Sequence, residues 1–137
     1  MSINLLSGKI DVSASSPGIY DVAYTTNGDC PNTNIQTITV SALDDPSFNF
    51  SSSNYCTTDS DPSATISGTS GGTFSSLPAG LDLDAISGLI SLNNSTPNTY
   101  SVMYTTNGAC PSSASQNVTV NGLDDPGFNY GTSSFCS

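Results

Sequence analysis

Carboxylates and thiols are the side chains through which this chain could do chemistry. Its eleven acidic residues are all aspartate, and its four cysteines stand at 30, 56, 110 and 136. Eight of the aspartates come in pairs. Asp44 with Asp45, and Asp124 with Asp125, each precede a proline; Asp59 with Asp61, and Asp82 with Asp84, form D-x-D steps. Calcium gathers several oxygens from carboxylates, carbonyls and water, so these pairs are candidate ligands for a structural calcium ion. Two features oppose that reading. No glutamate is present to bind in bidentate fashion, and D-x-D in a strand aims both carboxylates at one face without further partners. Solubilising charge on surfaces and linkers is the competing interpretation.

The cysteines are spaced too widely for the short pairs of a zinc site, and the chain has no histidine to complete one. Disulfides in an exported protein fit them better and set an extracellular expectation. Hydrolytic catalysis is not expected. There is no histidine base, and Lys9, the single basic residue, falls opposite Leu89 when the sequence is aligned with itself. The same lone lysine excludes a recurring Lys–Asn cross-link.

A net charge of -10 with one basic residue rules out nucleic-acid binding by phosphate neutralisation. It argues equally against attachment to an anionic membrane surface. Apolar runs are too short to cross a bilayer, so no membrane insertion is expected. Ser, Thr and Asn make up about 40% of the residues and apolar types 35%. Such a composition approaches disorder, but its regular alternation points instead to strands with one solvated face.

The elements that must position these groups are written almost twice. Displacing the sequence by 80 positions aligns 1–57 with 81–137 without a gap, and 25 of the 57 pairs are identical. "YTTNGDCP" (24–31) returns as "YTTNGACP" (104–111), and "LDDPSFN" (43–49) as "LDDPGFN" (123–129). The expected division is 1–42 as the C-terminal part of one repeat, 43–122 as a complete repeat, and 123–137 as the start of another. Met1 falls opposite Leu81, inside the unit, so the chain reads as a piece of a longer array.

Period-two alternation dominates and helical periodicity is absent. Tyr20, Val22 and Tyr24 share a face, as do Tyr100, Val102 and Tyr104; Ile38 with Val40, and Val118 with Val120, do the same. Further strands are expected at 48–50, 64–67, 72–75 and 81–84. The fold class is therefore all-β, as immunoglobulin-like β-sandwich repeats in tandem. The expected core is Phe74, Leu83, Ile86, Ile90, Leu92, Tyr100, Val102, Tyr104, Val118 and Val120. Phe48, Phe50 and Tyr55, near a junction, are assigned to docking neighbouring repeats. Each "DDP" should end a strand cleanly, because proline lacks a donor and biases the preceding residue to extended geometry.

"SSPGIYDV" and "STPNTYSV" place Tyr20 and Tyr100 at a strand start after a proline turn, which resembles the tyrosine corner of immunoglobulin domains. "LPAGLDLDAISGLISLNNSTPNTYSVMYTTNG" resembles the immunoglobulin-like, cadherin-like repeats of bacterial surface proteins. "DDPSFNF", "YC", "GGTF" and "YTTNGxCP" are similar to the repeats of giant SprB-type adhesins of gliding Bacteroidota, over the whole chain. That resemblance implies type IX secretion, filaments at the outer surface, and a part in adhesion or gliding motility. Neighbouring repeats would be the immediate partners, with surface polysaccharide or substratum engaged by another region. The junctional aspartates also resemble cadherin linkers stiffened by calcium. Two disulfide schemes stay open. One joins Cys56 to Cys110 within the repeat; the other joins Cys30 to Cys56 and Cys110 to Cys136 across junctions. The alternative functions are a calcium- or glycan-binding module, or a pilus or surface-layer subunit that exchanges strands.

Overall fold

The computed structural model describes residues 1–131 and is all-β. The strands are β1 (Ser2–Ile3), β2 (Ile10–Asp11), β3 (Gly18–Thr25), β4 (Thr33–Val40), β5 (Phe48–Asn49), β6 (Asn54–Cys56), β7 (Thr65–Ile66), β8 (Thr73–Leu77), β9 (Asp82–Leu83), β10 (Ile90–Ser91), β11 (Asn98–Thr105) and β12 (Ser113–Asn121). A single 3-10 turn, Leu92–Asn94, interrupts them.

Residues 43–122 form a two-layer sandwich. One layer is a four-stranded sheet in the order β6-β12-β11-β8, in which β6 runs parallel to β12 and the other pairs are antiparallel. The second layer is built from two short ribbons, β5 with β7 and β9 with β10, linked by a bridge from Ser63 to Leu89. Alternation in β11 sends Tyr100, Val102 and Tyr104 inward, and all three are fully buried. Val118 and Val120 face them from β12, and Phe74, Ile90 and Leu92 close the same cluster.

Two core assignments differ from the sequence-based expectation. Ile86 is 80% exposed, because it lies in the tight turn that Asp84 organises rather than on a strand. Phe48, Phe50 and Tyr55 do not serve a neighbouring unit; they are buried in the core of 43–122 itself. The Phe48 ring packs edge-on against Phe74 at 5.4 Å and Phe50 at 6.0 Å. Strand β6 is an addition. Only Tyr55 among its three residues is buried, which is too short a pattern to read in a Ser- and Asn-rich stretch.

The strands of residues 1–40 recur 80 positions later with the same register and the same bounds, save one extra residue at the end of β12. Ser2↔Asp11 and Ile3↔Ile10 correspond to Asp82↔Ser91 and Leu83↔Ile90. Gly18↔Val40 through Thr25↔Thr33 correspond to Asn98↔Val120 through Thr105↔Ser113. Their burial does not recur. Among the described residues the β3–β4 sheet has only those two strands, and Tyr24 is 71% exposed where Tyr104 is fully buried.

Candidate functional site at the junction

Residues 41–47 carry no regular secondary structure, yet they are held at several points. Asp44 meets the tip of the β11–β12 hairpin: its backbone N–H donates to the Cys110 carbonyl at 2.9 Å, and its carboxylate accepts from the Gly108 N–H at 2.9 Å. The approach depends on glycine. A Cβ on Gly108 would stand 2.4 Å from Oδ2 of Asp44. The tip closes on itself through Thr106, whose N–H donates to the Ser112 carbonyl and whose Oγ1 accepts from the Ser112 N–H, both at 2.9 Å. Thr26 and Asn32 close the β3–β4 hairpin in the same way. "YTTNGxCP" is thus the end of a strand and the hairpin tip on which the junction rests.

Asp45 fastens the other side. Its carbonyl accepts from the Thr69 N–H at 2.7 Å, and its own N–H donates to Thr69 Oγ1 at 3.1 Å. Its carboxylate accepts from the N–H and hydroxyl of Ser47. Those bonds hold the Asp45 carboxyl below its ordinary value, the side-chain bond from Ser47 first. Gly68 has no room either, since a Cβ there would stand 2.2 Å from the Asp45 carbonyl oxygen.

The remaining candidate aspartates, Asp124 apart, are engaged singly, each by a different partner. Asp59 accepts from the Cys56 N–H at 2.7 Å and Asp61 from the Leu92 N–H at 2.9 Å. Asp82 accepts from the Asn94 side chain at 3.1 Å. Asp84 accepts from the N–H of Ser87 at 2.7 Å and of Ile86 at 3.0 Å, and its carboxyl is lowered by Ser87 first. Asp125 accepts from the Gly127 N–H at 2.8 Å, and Asp124 is exposed. Among the described residues no three acidic or thiol groups converge as a metal site would require.

The cysteines are not brought together as either scheme expects. Cys56 lies opposite Asn121 at the end of β12, whereas Cys110 precedes the first residue of that strand, Ser113. Eight steps of strand, about 26 Å, separate the two poles, and a disulfide tolerates only about 7 Å between Cα atoms. The structure does not bring Cys56 and Cys110 together, and both are free thiols in it. Cys30 is also free; it sits in the tip of the β3–β4 hairpin, with all of β4 between it and the junction. Cys30 and Cys56 are likewise unbonded in this structure. Cys136 lies outside the described residues.

Both tyrosines of the corner pattern donate four residues upstream, Tyr100 to the Thr96 carbonyl at 2.5 Å and Tyr20 to the Ser16 carbonyl at 2.8 Å. Tyr100 is fully buried and Tyr20 half-buried. A third tyrosine, Tyr104, was legible in the sequence only as core. Its hydroxyl donates to the Thr69 carbonyl at 2.8 Å and accepts from the Gly72 N–H at 2.9 Å, so it pins the loop that receives Asp45. Neither known protein-family profiles nor curated proteins match the chain.

Proposed function

We propose that this chain is a stalk segment of a secreted, filamentous cell-surface adhesin that serves attachment or gliding motility. It would consist of immunoglobulin-like units in tandem, 1–42 ending one, 43–122 forming the next and 123–137 opening a third. One observation carries the reading: residues 43–122 take in the chain at one pole and release it at the other. Asp44 rests on the hairpin tip at Gly108 and Cys110, while Asn121 leaves beside Cys56. Units connected in that manner lie in series, and the bonds of Asp44 and Asp45 tie the entering segment to 43–122, which shortens the free linker before it. The exposed polar strands and the charge of -10 suit an exposed spacer that must not aggregate. The role is mechanical rather than catalytic, and the adhesive contact with polysaccharide or substratum belongs to another region.

Antibodies raised against 43–122 test this on intact source cells. Surface labelling along filaments, with weakened attachment when the segment is deleted from the gene, is the expected result. Labelling that appears only after lysis would refute it. A chelator-induced drop in melting temperature, or glycan-array binding by this chain, would favour the calcium- or glycan-binding alternative instead.

A further inference from the structure

We infer that the cysteines staple successive units: the Cys56 position of one unit bonds to the Cys110 position of the unit that follows. The inference rests on the tandem reading above, and two contacts at corresponding residues carry it. Ser41 and Asn121 are the same position 80 residues apart, each following the valine that ends its hairpin, Val40 or Val120. At the trailing pole of 43–122, Asn121 is the Cα partner of Cys56, which places the two backbones about 5 Å apart. At the junction, the Ser41 carbonyl oxygen lies 4.0 Å from Cys110 Sγ. Superposing the two poles puts both cysteine positions against one residue, the first on its sheet edge and the second on its carbonyl.

The surroundings agree with that placement. Cys56 is exposed and Cys110 half-exposed, so neither thiol is enclosed by its own unit. The edge of β4 beside Ser41 has no strand on it among the described residues. No Cys56-type strand therefore adjoins Cys110 here, and the described cysteines stay as thiols. Closure needs an oxidant of the disulfide class. Two thiols release two protons and two electrons as the S–S bond forms, and oxidised glutathione is reduced to two thiols.

The test uses the full chain lengthened by one further copy of 43–122, inserted in phase after Gly122. Three versions each keep two cysteines, with the rest changed to serine: Cys56 with the Cys110 position of the added unit, Cys110 with the Cys56 position of the added unit, and Cys56 with Cys110 of the same unit. After equilibration in a glutathione redox mixture, only the first should lose its free thiols, gaining a bond within one chain at least tenfold more readily than the others. Equal closure in the same-unit version would overturn the inference. So would persistent thiols in the first version when circular dichroism and a cooperative melt show both units folded. If the added unit does not fold at all, the tandem reading falls first and this inference with it.

Discussion

Three tyrosines in equivalent or neighbouring strand positions use their hydroxyls very differently. Tyr104 satisfies a buried N–H and a carbonyl from one loop, Tyr100 one carbonyl, and Tyr20 one carbonyl at a half-open site. Removing a hydroxyl leaves its partners unpaired, which costs about 1–3 kcal/mol where they are buried. Tyr104→Phe should therefore destabilise most, Tyr100→Phe less, and Tyr20→Phe least, read as shifts in the urea midpoint at constant slope. A neutral Tyr104→Phe would contradict the pinning role. Asp84 gives a pH test. Hydrogen bonds lower its folded carboxyl below the ordinary value, so its contribution is present above that value, near pH 4, and is lost as pH falls through the folded one. Asp84→Asn keeps an acceptor without the charge. The melting gap between wild type and variant should be widest at neutral pH and close below pH about 4; a gap that widens in acid would refute the assignment.

At the scale of elements, the two copies of "TTNG" make an internal control. A Cβ at Gly108 meets the Asp44 carboxylate, whereas one at Gly28 meets nothing within 4 Å. Gly28→Ala should change stability by less than about 0.5 kcal/mol. Gly108→Ala should push Asp44 aside, costing about 1 kcal/mol and speeding exchange of the residue 108 amide. Gly68→Ala should cost more than either, because there the obstacle is backbone, the Asp45 carbonyl. Equal effects at Gly28 and Gly108 would mean that the junction bond contributes nothing. The tip is thus a generic hairpin closure until a junction lands on it, and then its glycine becomes specific.

On the scale of the whole molecule, the chain is unevenly stable. Residues 43–122 enclose a core of fully buried side chains, while β3 and β4 stand as a two-stranded sheet with Ile19, Tyr24 and Ile35 at least 60% exposed. Isolated two-stranded hairpins are marginal in water, so local opening should be far easier there. Native-state hydrogen exchange should find the amides of β11 and β12 protected well beyond those of β3 and β4, despite their matching register. Limited proteolysis should leave a fragment close to 43–122. Uniform protection across both hairpins would show that residues 1–42 acquire a cover from elsewhere, for instance from a second copy.

By itself the sequence determined the 80-residue period, the all-β class, the long hairpins and the turn chemistry at their tips. These follow from local alternation and from residues such as Asn-Gly and Thr that act on their immediate neighbours. Position within the fold was another matter. That Phe48, Phe50 and Tyr55 belong to the core of 43–122, and that Tyr24 and Tyr104 differ in burial, depend on which strands lie across from them. The cysteines make the same point most sharply. Strand β6 runs parallel to β12, so it carries Cys56 to the pole away from Cys110, and nothing in the spacing of 56 and 110 encodes that direction. Only tertiary structure decides it, because parallel pairing is set by long-range burial of Tyr55 and not by any turn between the strands.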